Sequence, residues 1–172
     1  RRPMFYFGVL RALHEKDIRY LIVGGLAVNL HGVPRATQDI DIILLMERDN
    51  IIRLCDCMRE LGYDPTAPVQ AEDLADPVKR EEWIRDKNMK AFGFRHRDLK
   101  YRTVDVVIFH PLDFSAAYER RQERTAGGVP FSLVSMTDLI RLKTFAGRPQ
   151  DLSDIELLRQ AAELGDAEHG PA

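Results

Sequence analysis

Apolar and polar positions recur along the chain with two different periods, which predict helices and strands in turn. Helical spacing or helix-forming composition predicts helices over residues 4–16, 26–31, 50–61, 76–89, 114–121 and 136–146, and a last helix through Leu152, Ile155, Leu158 and Ala162. Apolar runs predict strands over residues 18–23, 39–45, 91–96, 103–109 and 129–133, and Pro65 and Pro68 predict a loop over 63–69. This order predicts an α+β domain, with a small mixed β-sheet flanked by helices and a helical C-terminal part.

Length and composition are those of one compact unit. The chain has 172 residues, of which 45% are hydrophobic and 30% charged, close to the usual proportions of globular proteins. These values exclude the disordered, collagen-like and disulfide-scaffold classes. We divide the unit into a core over residues 1–112 and a mainly helical part over residues 113–172 that packs on the core.

Charge and cysteine usage narrow the choice of partners and compartment. The formal net charge is −2, so the overall charge indicates neither a nucleic-acid nor a membrane partner. The longest stretch without a charged residue, 20–34, is shorter than the ~20 apolar residues of a spanning helix, and we expect no membrane association. Cys55 and Cys57 point to different faces of a predicted helix and cannot easily bridge. We therefore expect a reduced, cytoplasmic protein.

The segment Asp39-Ile40-Asp41 opens a predicted strand and carries the first candidate chemistry. Alternate residues of a strand share a face, so both carboxylates point the same way. Two like charges are costly to bury unpaired, and a divalent cation removes that cost. Mg²⁺ takes a few carboxylate oxygens together with waters and substrate phosphates. The structural alternative is a pair of solvated acids at the edge of a strand.

A diglycine, Gly24-Gly25, follows the first predicted strand and opens a short helix. Glycines let a backbone approach a phosphate closely, and free N–H groups at the start of a helix bind anions. The alternative is a plain strand–helix turn. One short helix and one loop separate the diglycine from Asp39, so we expect the phosphate cradle and the carboxylates at the same end of the sheet.

A third carboxylate, Asp105, interrupts an otherwise apolar predicted strand. A charged residue in such a run is rarely fully buried without a partner. The cation site of Asp39 and Asp41 would supply that partner. The alternative is an aspartate that faces solvent or pairs with Arg102.

Residues 21–45, LIVGGLAVNLHGVPRATQDIDIILL, resemble the signature of the minimal nucleotidyltransferases of the DNA polymerase β-like superfamily. That signature is hG[GS], a spacer, Dh[DE]h, and a third Asp on a later strand. The resemblance extends to the AbiEii-like branch, which includes toxin components of abortive-infection and toxin–antitoxin systems. Residues 139–158, LIRLKTFAGRPQDLSDIELL, resemble the segment of that branch that carries a Lys and an Arg-x-x-Asp.

The resemblance implies the nucleotidyltransferase fold and a metal-dependent reaction. A nucleoside monophosphate moves from an NTP to an acceptor hydroxyl, and pyrophosphate leaves. By analogy, Gly24 and Gly25 hold the triphosphate, Asp39 and Asp41 bind Mg²⁺ or Mn²⁺, and Asp105 completes the metal site and helps to deprotonate the acceptor. Relatives use RNA, protein or small-molecule acceptors, and tRNA or a protein is open here, as is a cognate antitoxin or toxin partner.

Three more residues are candidates for nucleotide binding. Lys143 shares a predicted helix face with apolar residues, so it either snorkels to water or projects into the cleft and meets phosphates. Arg35 and Thr37 precede the carboxylates, where they either contact phosphate or order the loop.

For the other polar residues we favour structural roles. We expect His31 to be a helix-end or packing residue, and Arg148 with Asp151 to form a local salt bridge and helix cap. The basic run Arg95, His96, Arg97, Lys100 and Arg102 is either a solvated hairpin turn, which we favour, or a contact for an RNA backbone.

Two other function classes compete with an active nucleotidyltransferase. One is a catalytically inactive module on the same fold that binds a nucleotide or a partner. The other is a metal-dependent glycosyltransferase, since Asp-x-Asp also holds nucleotide-sugars. All three carboxylates are present, which argues against a binding-only module, and a glycosyltransferase does not require the diglycine at this spacing.

Overall fold

A computed structural model describes residues 6–168, which form seven α-helices and a β-sheet. The helices are α1 (Tyr6–Glu15), α2 (Gly24–Leu30), α3 (Arg48–Glu60), α4 (Pro77–Lys87), α5 (Phe114–Glu119), α6 (Met136–Ala146) and α7 (Pro149–Glu168). The strands are β1 (Tyr20–Val23), β2 (Asp39–Leu44), β3 (Tyr63–Pro65), β4 (Ala91–His96), β5 (Thr103–Val107), β6 (Gln122–Ala126) and β7 (Val129–Leu133). Residues 4 and 5 of the first predicted helix lie outside the described residues.

The strands form one mixed sheet in the order β3-β4-β5-β2-β1-β7-β6. The central pair β2 and β5 is parallel, as is β1 with β7, and the remaining neighbours are antiparallel. The predicted α+β class with a mixed sheet is therefore confirmed. The strands β6 and β7 belong to the C-terminal part of the chain, yet they extend this same sheet beside β1.

The core lies between the sheet and the helices that cover it. Ile40 and Ile42 of β2 are fully buried, as are Val104 and Val106 of β5. The predicted face of α3 is buried through residues such as Leu54. Burial of these alternating positions directs the intervening residues of β2 and β5 to the other face of the sheet.

Local signals place both ends of α6. The Ser135 side chain accepts a hydrogen bond from the Asp138 N–H and caps the first turn. Gly147 follows the last turn with φ of 64°, in the left-handed conformation that favours glycine. These two signals orient α6, which packs against α7 and lies over the sheet near β1.

Two strands of the structure were not predicted from the sequence. The sequence predicts a loop over residues 63–69, but the segment Tyr63–Pro65 forms a short strand beside β4. Proline is tolerated in this strand because β3 lies at the edge of the sheet. The strand β6 has the polar sequence QERTA, which carries no apolar alternation. It forms because Gly127 and Gly128 both have positive φ, at 56° and 78°, and close a two-residue hairpin onto β7.

Helix α7 extends beyond Ala162, the last position of its predicted apolar face, and continues to Glu168. In the part of the chain that the structure describes, no helix combines the length and apolarity needed to cross a membrane.

Candidate active site

Asp39, Asp41 and Asp105 lie on one face of the central strands. Asp39 and Asp41 are alternate residues of β2, and the parallel register places Asp41 directly beside Asp105 of β5. Thr103 lies beside Asp39 in the same register and donates its hydroxyl to Asp39 Oδ1 at 2.6 Å. The three aspartates therefore lie on one face of the sheet, as the sequence predicts for Asp39 and Asp41.

Asp41 packs against the diglycine turn. Gly24 has φ of 65°, and a Cβ at this position would lie 2.1 Å from Asp41 Oδ2. The backbone N–H of Gly25 donates to the Asp41 carboxylate. Glycine at position 24 is thus required twice: for its backbone conformation and for the close approach of Asp41. The helix α2 begins at Gly24, as the sequence predicts.

Asp105 leans toward the opposite side of the site. A Cβ on Gly93, its neighbour on β4, would lie 2.9 Å from Asp105 Oδ1 and 2.9 Å from Thr66 Oγ1. Since Asp41 lies over Gly24 beyond β1 and Asp105 lies over Gly93 on β4, the two carboxylates diverge. Gly93 has no sequence signal that marks it as part of the site.

Burial and, after it, the charges of neighbouring carboxylates raise the pKa values of Asp41 and Asp105. Burial, then the charge of Asp39, raises the pKa of Asp41 to about 6, against opposing effects of Lys143 and Arg148. Burial, then the charges of Asp41 and Asp39, raises the pKa of Asp105 to about 7. Carboxylates whose pKa is raised by burial and by neighbouring negative charge are common in sites that hold a cation or exchange a proton.

The donor set suits a hard divalent cation, although the carboxylates stand apart. Within residues 6–168, no three His, Cys, Asp or Glu side chains are grouped closely enough to hold a metal ion. Asp41 and Asp105 are nevertheless register partners on neighbouring strands. Mg²⁺ and Mn²⁺ prefer such oxygen ligands, and their charge would relieve the repulsion.

The loop before β2 folds back over the diglycine turn. The Thr37 hydroxyl donates a hydrogen bond to the Asp39 carbonyl. This hydrogen bond orders the loop, which is one of the two roles predicted for Thr37. A Cβ on Gly25 would lie 3.6 Å from Arg35 Nε, so the Arg35 guanidinium lies close to Gly25. The Arg35 carbonyl accepts a hydrogen bond from the Asn29 side chain at 3.2 Å. Both residues are therefore beside the turn where the sequence predicts a phosphate.

Lys143 is buried at the edge of the site rather than extended into it. The side chain is 8% exposed, and its Nζ lies 3.3 Å from Asp151 and 2.9 Å from Asp154. Lys143 nevertheless lines the cavity beside Asp41 and affects the Asp41 pKa. The predicted salt bridge and cap of Arg148 and Asp151 are present, since both the backbone N–H and the Nε of Arg148 donate to Asp151.

A cavity of about 400 Å³ is lined by Asp41 and by an aromatic pair. Gly24, Asp41, Lys143 and Arg148 line one end. Lys90, Val107, Phe109, His110, Leu142 and Phe145 line the other. The ring centroids of Phe109 and Phe145 are 5.2 Å apart. No sequence pattern indicates this pair, because one residue follows β5 and the other lies on α6.

The remaining polar residues behave as expected. His31 ends α2 and its Nε2 lies 2.7 Å from the Val134 carbonyl, in a packing role. The basic run surrounds the turn between β4 and β5, where exposed Arg97 pairs with Asp64 at 3.0 Å. Cys55 and Cys57 are buried free thiols.

Comparison with known families decides the class. The family model described as "Nucleotidyltransferase of unknown function (DUF6036)" matches residues 9–164. The chain belongs to this nucleotidyltransferase family. The match spans the diglycine turn, all three aspartates, and the Lys143 cluster. No curated protein matches the sequence. The match does not separate the AbiEii-like branch from the rest of the superfamily, so that finer assignment stays a prediction.

Solved structures of other nucleotidyltransferases share the fold. The lincosamide antibiotic adenylyltransferase LnuA, bound to lincomycin, superposes with a TM-score of 0.58 at 13% identity over 90% of this chain and 94% of LnuA. ANT(2'')-Ia with adenylyl-2''-tobramycin gives 0.56 at 14% identity over 95% and 91%. A nucleotidyltransferase-like protein from Paracoccidioides brasiliensis gives 0.52 at 17% over 91% and 72%. These likenesses establish the fold of this family member.

Proposed function

We propose that this family member is an active, metal-dependent enzyme that transfers a nucleoside monophosphate from an NTP to an acceptor hydroxyl. The observation that supports it is the placement of Asp39, Asp41 and Asp105 on one sheet face, with Asp41 in contact with the Gly24 turn at the end of a cavity. A binding-only module has no need for three carboxylates that repel one another.

Asp39, Asp41 and Asp105 would hold the cation. When bound there, Mg²⁺ or Mn²⁺ supplies Lewis-acid stabilisation of the charge on the phosphate oxygens. The rest of the chemistry is positioning and charge neutralisation, as for phosphoryl transfer in general.

The surrounding residues orient the triphosphate and the acceptor. Gly24 leaves room at the turn, Lys143 and Arg148 place positive charge along the cavity beside Asp41, and Arg35 lies over Gly25. The acceptor oxygen bonds to the α-phosphorus, the bond from that phosphorus to the bridging oxygen breaks, and pyrophosphate leaves. Asp105 takes the acceptor proton, a role that its raised pKa suits.

The aromatic end of the cavity fits the base of the nucleotide. A flat ring laid against the Phe109–Phe145 pair would contact their apolar surface while its phosphates reach the cationic end. Phe145→Ala is therefore expected to raise the KM for the NTP about five- to tenfold, with a stacking loss of ~1–1.4 kcal/mol. Leu157→Ala on α7 removes a side chain of similar exposure outside the cavity. Steady-state kinetics would contradict the placement if both variants kept the wild-type KM.

Nucleotide binding is tested directly by thermal unfolding with Mg²⁺ and each NTP, against UDP-sugars as the glycosyltransferase control. A ligand at 100 times its Kd adds about 2.7 kcal/mol of stability. For a chain of this size we expect the melting temperature to rise by ~5–10 °C with at least one NTP. A rise with UDP-sugars alone would favour the glycosyltransferase, and no rise with any nucleotide would contradict the proposal.

The acceptor is identified by incubating the protein with α-³²P-labelled NTPs and a cell extract, then separating RNA, protein and small molecules. The lincosamide and tobramycin complexes among the structural neighbours favour testing small hydroxylated molecules as well as tRNA ends and protein side chains. A toxin–antitoxin role, which the AbiEii-like resemblance suggests, predicts that expression of the chain arrests growth and that Asp41→Asn abolishes the arrest.

A further inference from the structure

Asp154 is a buried acid that the proposed chemistry does not use. It lies on α7 with 5% exposure, three residues after Asp151, so both carboxylates lie on the face that contacts α6. A carboxylate this buried requires compensating positive charge. Asp154 accepts from Lys143 Nζ at 2.9 Å and from the Arg35 guanidinium at 2.5 Å.

Arg35 and Lys143 depend on Asp154 to different degrees. Lys143 has a second carboxylate within 3.3 Å, that of Asp151. The ion pair of Arg35 joins it to Asp154, across 119 residues of sequence. Loss of the Asp154 charge therefore leaves Lys143 held by Asp151, but it frees the Arg35 side chain from its fixed position.

The position that Asp154 imposes on Arg35 is over the diglycine turn. Arg35 Cζ would lie 3.7 Å from a Cβ on Gly25, and the side chain is 24% exposed, so its outer edge is open to a ligand. Three cations, Arg35, Lys143 and Arg148, share the two carboxylates of Asp151 and Asp154, which leaves one positive charge in excess. A guanidinium fixed in this way binds phosphate oxygens through its planar fork of donors.

We propose that Asp154 is a positioning residue that holds Arg35 over the Gly24-Gly25 turn, so that helix α7 completes the site for the triphosphate. This rests on the proposed function, because it assumes that the turn receives a triphosphate. The ligand class is a polyphosphate chain, bound through Arg35 independently of the base.

The test measures the Kd of the full chain for inorganic tripolyphosphate and for the preferred NTP, by calorimetry with Mg²⁺. Asp154→Asn and Arg35→Met are each expected to weaken both affinities about tenfold, since one charge-assisted contact is lost. In the double variant the Asp154 change is expected to add nothing to the Arg35 change, because Asp154 acts through Arg35. A general structural role of Asp154 would weaken binding in the Arg35→Met background too.

Arg35→Met keeps the Asp154–Lys143 pair, so it reports on the site even where Asp154→Asn fails to fold. Wild-type affinity for tripolyphosphate in Arg35→Met overturns the proposal, as do additive losses in the double variant. Wild-type protein that binds tripolyphosphate and NTP, with variants that bind equally well, contradicts only the role of Asp154. Wild-type protein that binds neither ligand contradicts the proposed function itself.

Discussion

Asp41→Asn is expected to abolish nucleotide transfer and, at the same time, to stabilise the protein at neutral pH. The neutral amide removes the charge that repels Asp105 and Asp39, while it weakens the set of oxygens that would hold a cation. We expect a loss of at least ~10³-fold in labelling of the acceptor, as for removal of groups that stabilise transition-state charge. Sites built for function commonly sacrifice stability in this way.

The stability gain has a defined pH dependence. The folded-state pKa of Asp41 is about 6, above its ordinary 3.8, so the folded protein binds this proton more tightly than the unfolded chain does. The contribution to stability is therefore complete below about pH 4 and is lost as the pH rises through 6. With a discount for partial exposure, we expect Asp41→Asn to add about 1–2 kcal/mol at pH 7.5 in EDTA, and nothing at pH 4.

Urea unfolding at the two pH values measures this difference. Asp98→Asn is the matched control, because Asp98 is an exposed carboxylate in the turn between β4 and β5. A stability difference from wild type that is the same at both pH values would show that the pKa of Asp41 is not raised in the folded protein. Retained transfer from labelled NTP would show that Asp41 does not belong to the active site.

Gly24→Ala is expected to damage both the fold and the site. An alanine at φ of 65° costs about 1–2 kcal/mol, and its Cβ would lie 2.1 Å from Asp41 Oδ2, so Asp41 must move. We expect a total loss of ~2–4 kcal/mol in the free energy of unfolding. Displacement of Asp41 is expected to reduce transfer by at least ~10²-fold.

Gly25→Ala provides the matched comparison for stability. A Cβ on Gly25 would meet Thr37 Oγ1 at 3.5 Å and Arg35 Nε at 3.6 Å, which are ordinary contacts. Thermal unfolding should therefore show a much smaller loss for Gly25→Ala than for Gly24→Ala. Equal losses of stability in the two variants would mean that the close approach of Asp41 to the turn is not the reason why position 24 requires glycine.

The sequence predicted most of the elements that position the site, because their signals are local. The helix α3 follows its apolar spacing, α6 begins at its Ser135 cap, and β2 follows a buried apolar run. The prediction failed for β6, whose polar sequence pairs with β7 only because Gly127 and Gly128 close the hairpin. It failed for β3, since an edge strand of three residues gains its order from β4 rather than from its own side chains.

The sequence by itself determined the candidate residues for the chemistry: the diglycine, the Asp-x-Asp pair and the third aspartate in an apolar strand. These residues are recognised by their type and by their spacing within short segments or single strands, so the sequence alone is enough to find them. The family match later showed the class to which these motifs belong.

Only the tertiary structure decided how these residues meet. It placed Asp154 against Arg35 across 119 positions of sequence, Gly93 beneath Asp105, and Phe109 beside Phe145. It also placed Lys143 between two carboxylates, where the sequence left open whether it reaches water or the cleft. The physical reason is that burial and pairing depend on which elements pack together. A pattern along the chain does not contain the distances between residues that come into contact only when the sheet and the helices fold together.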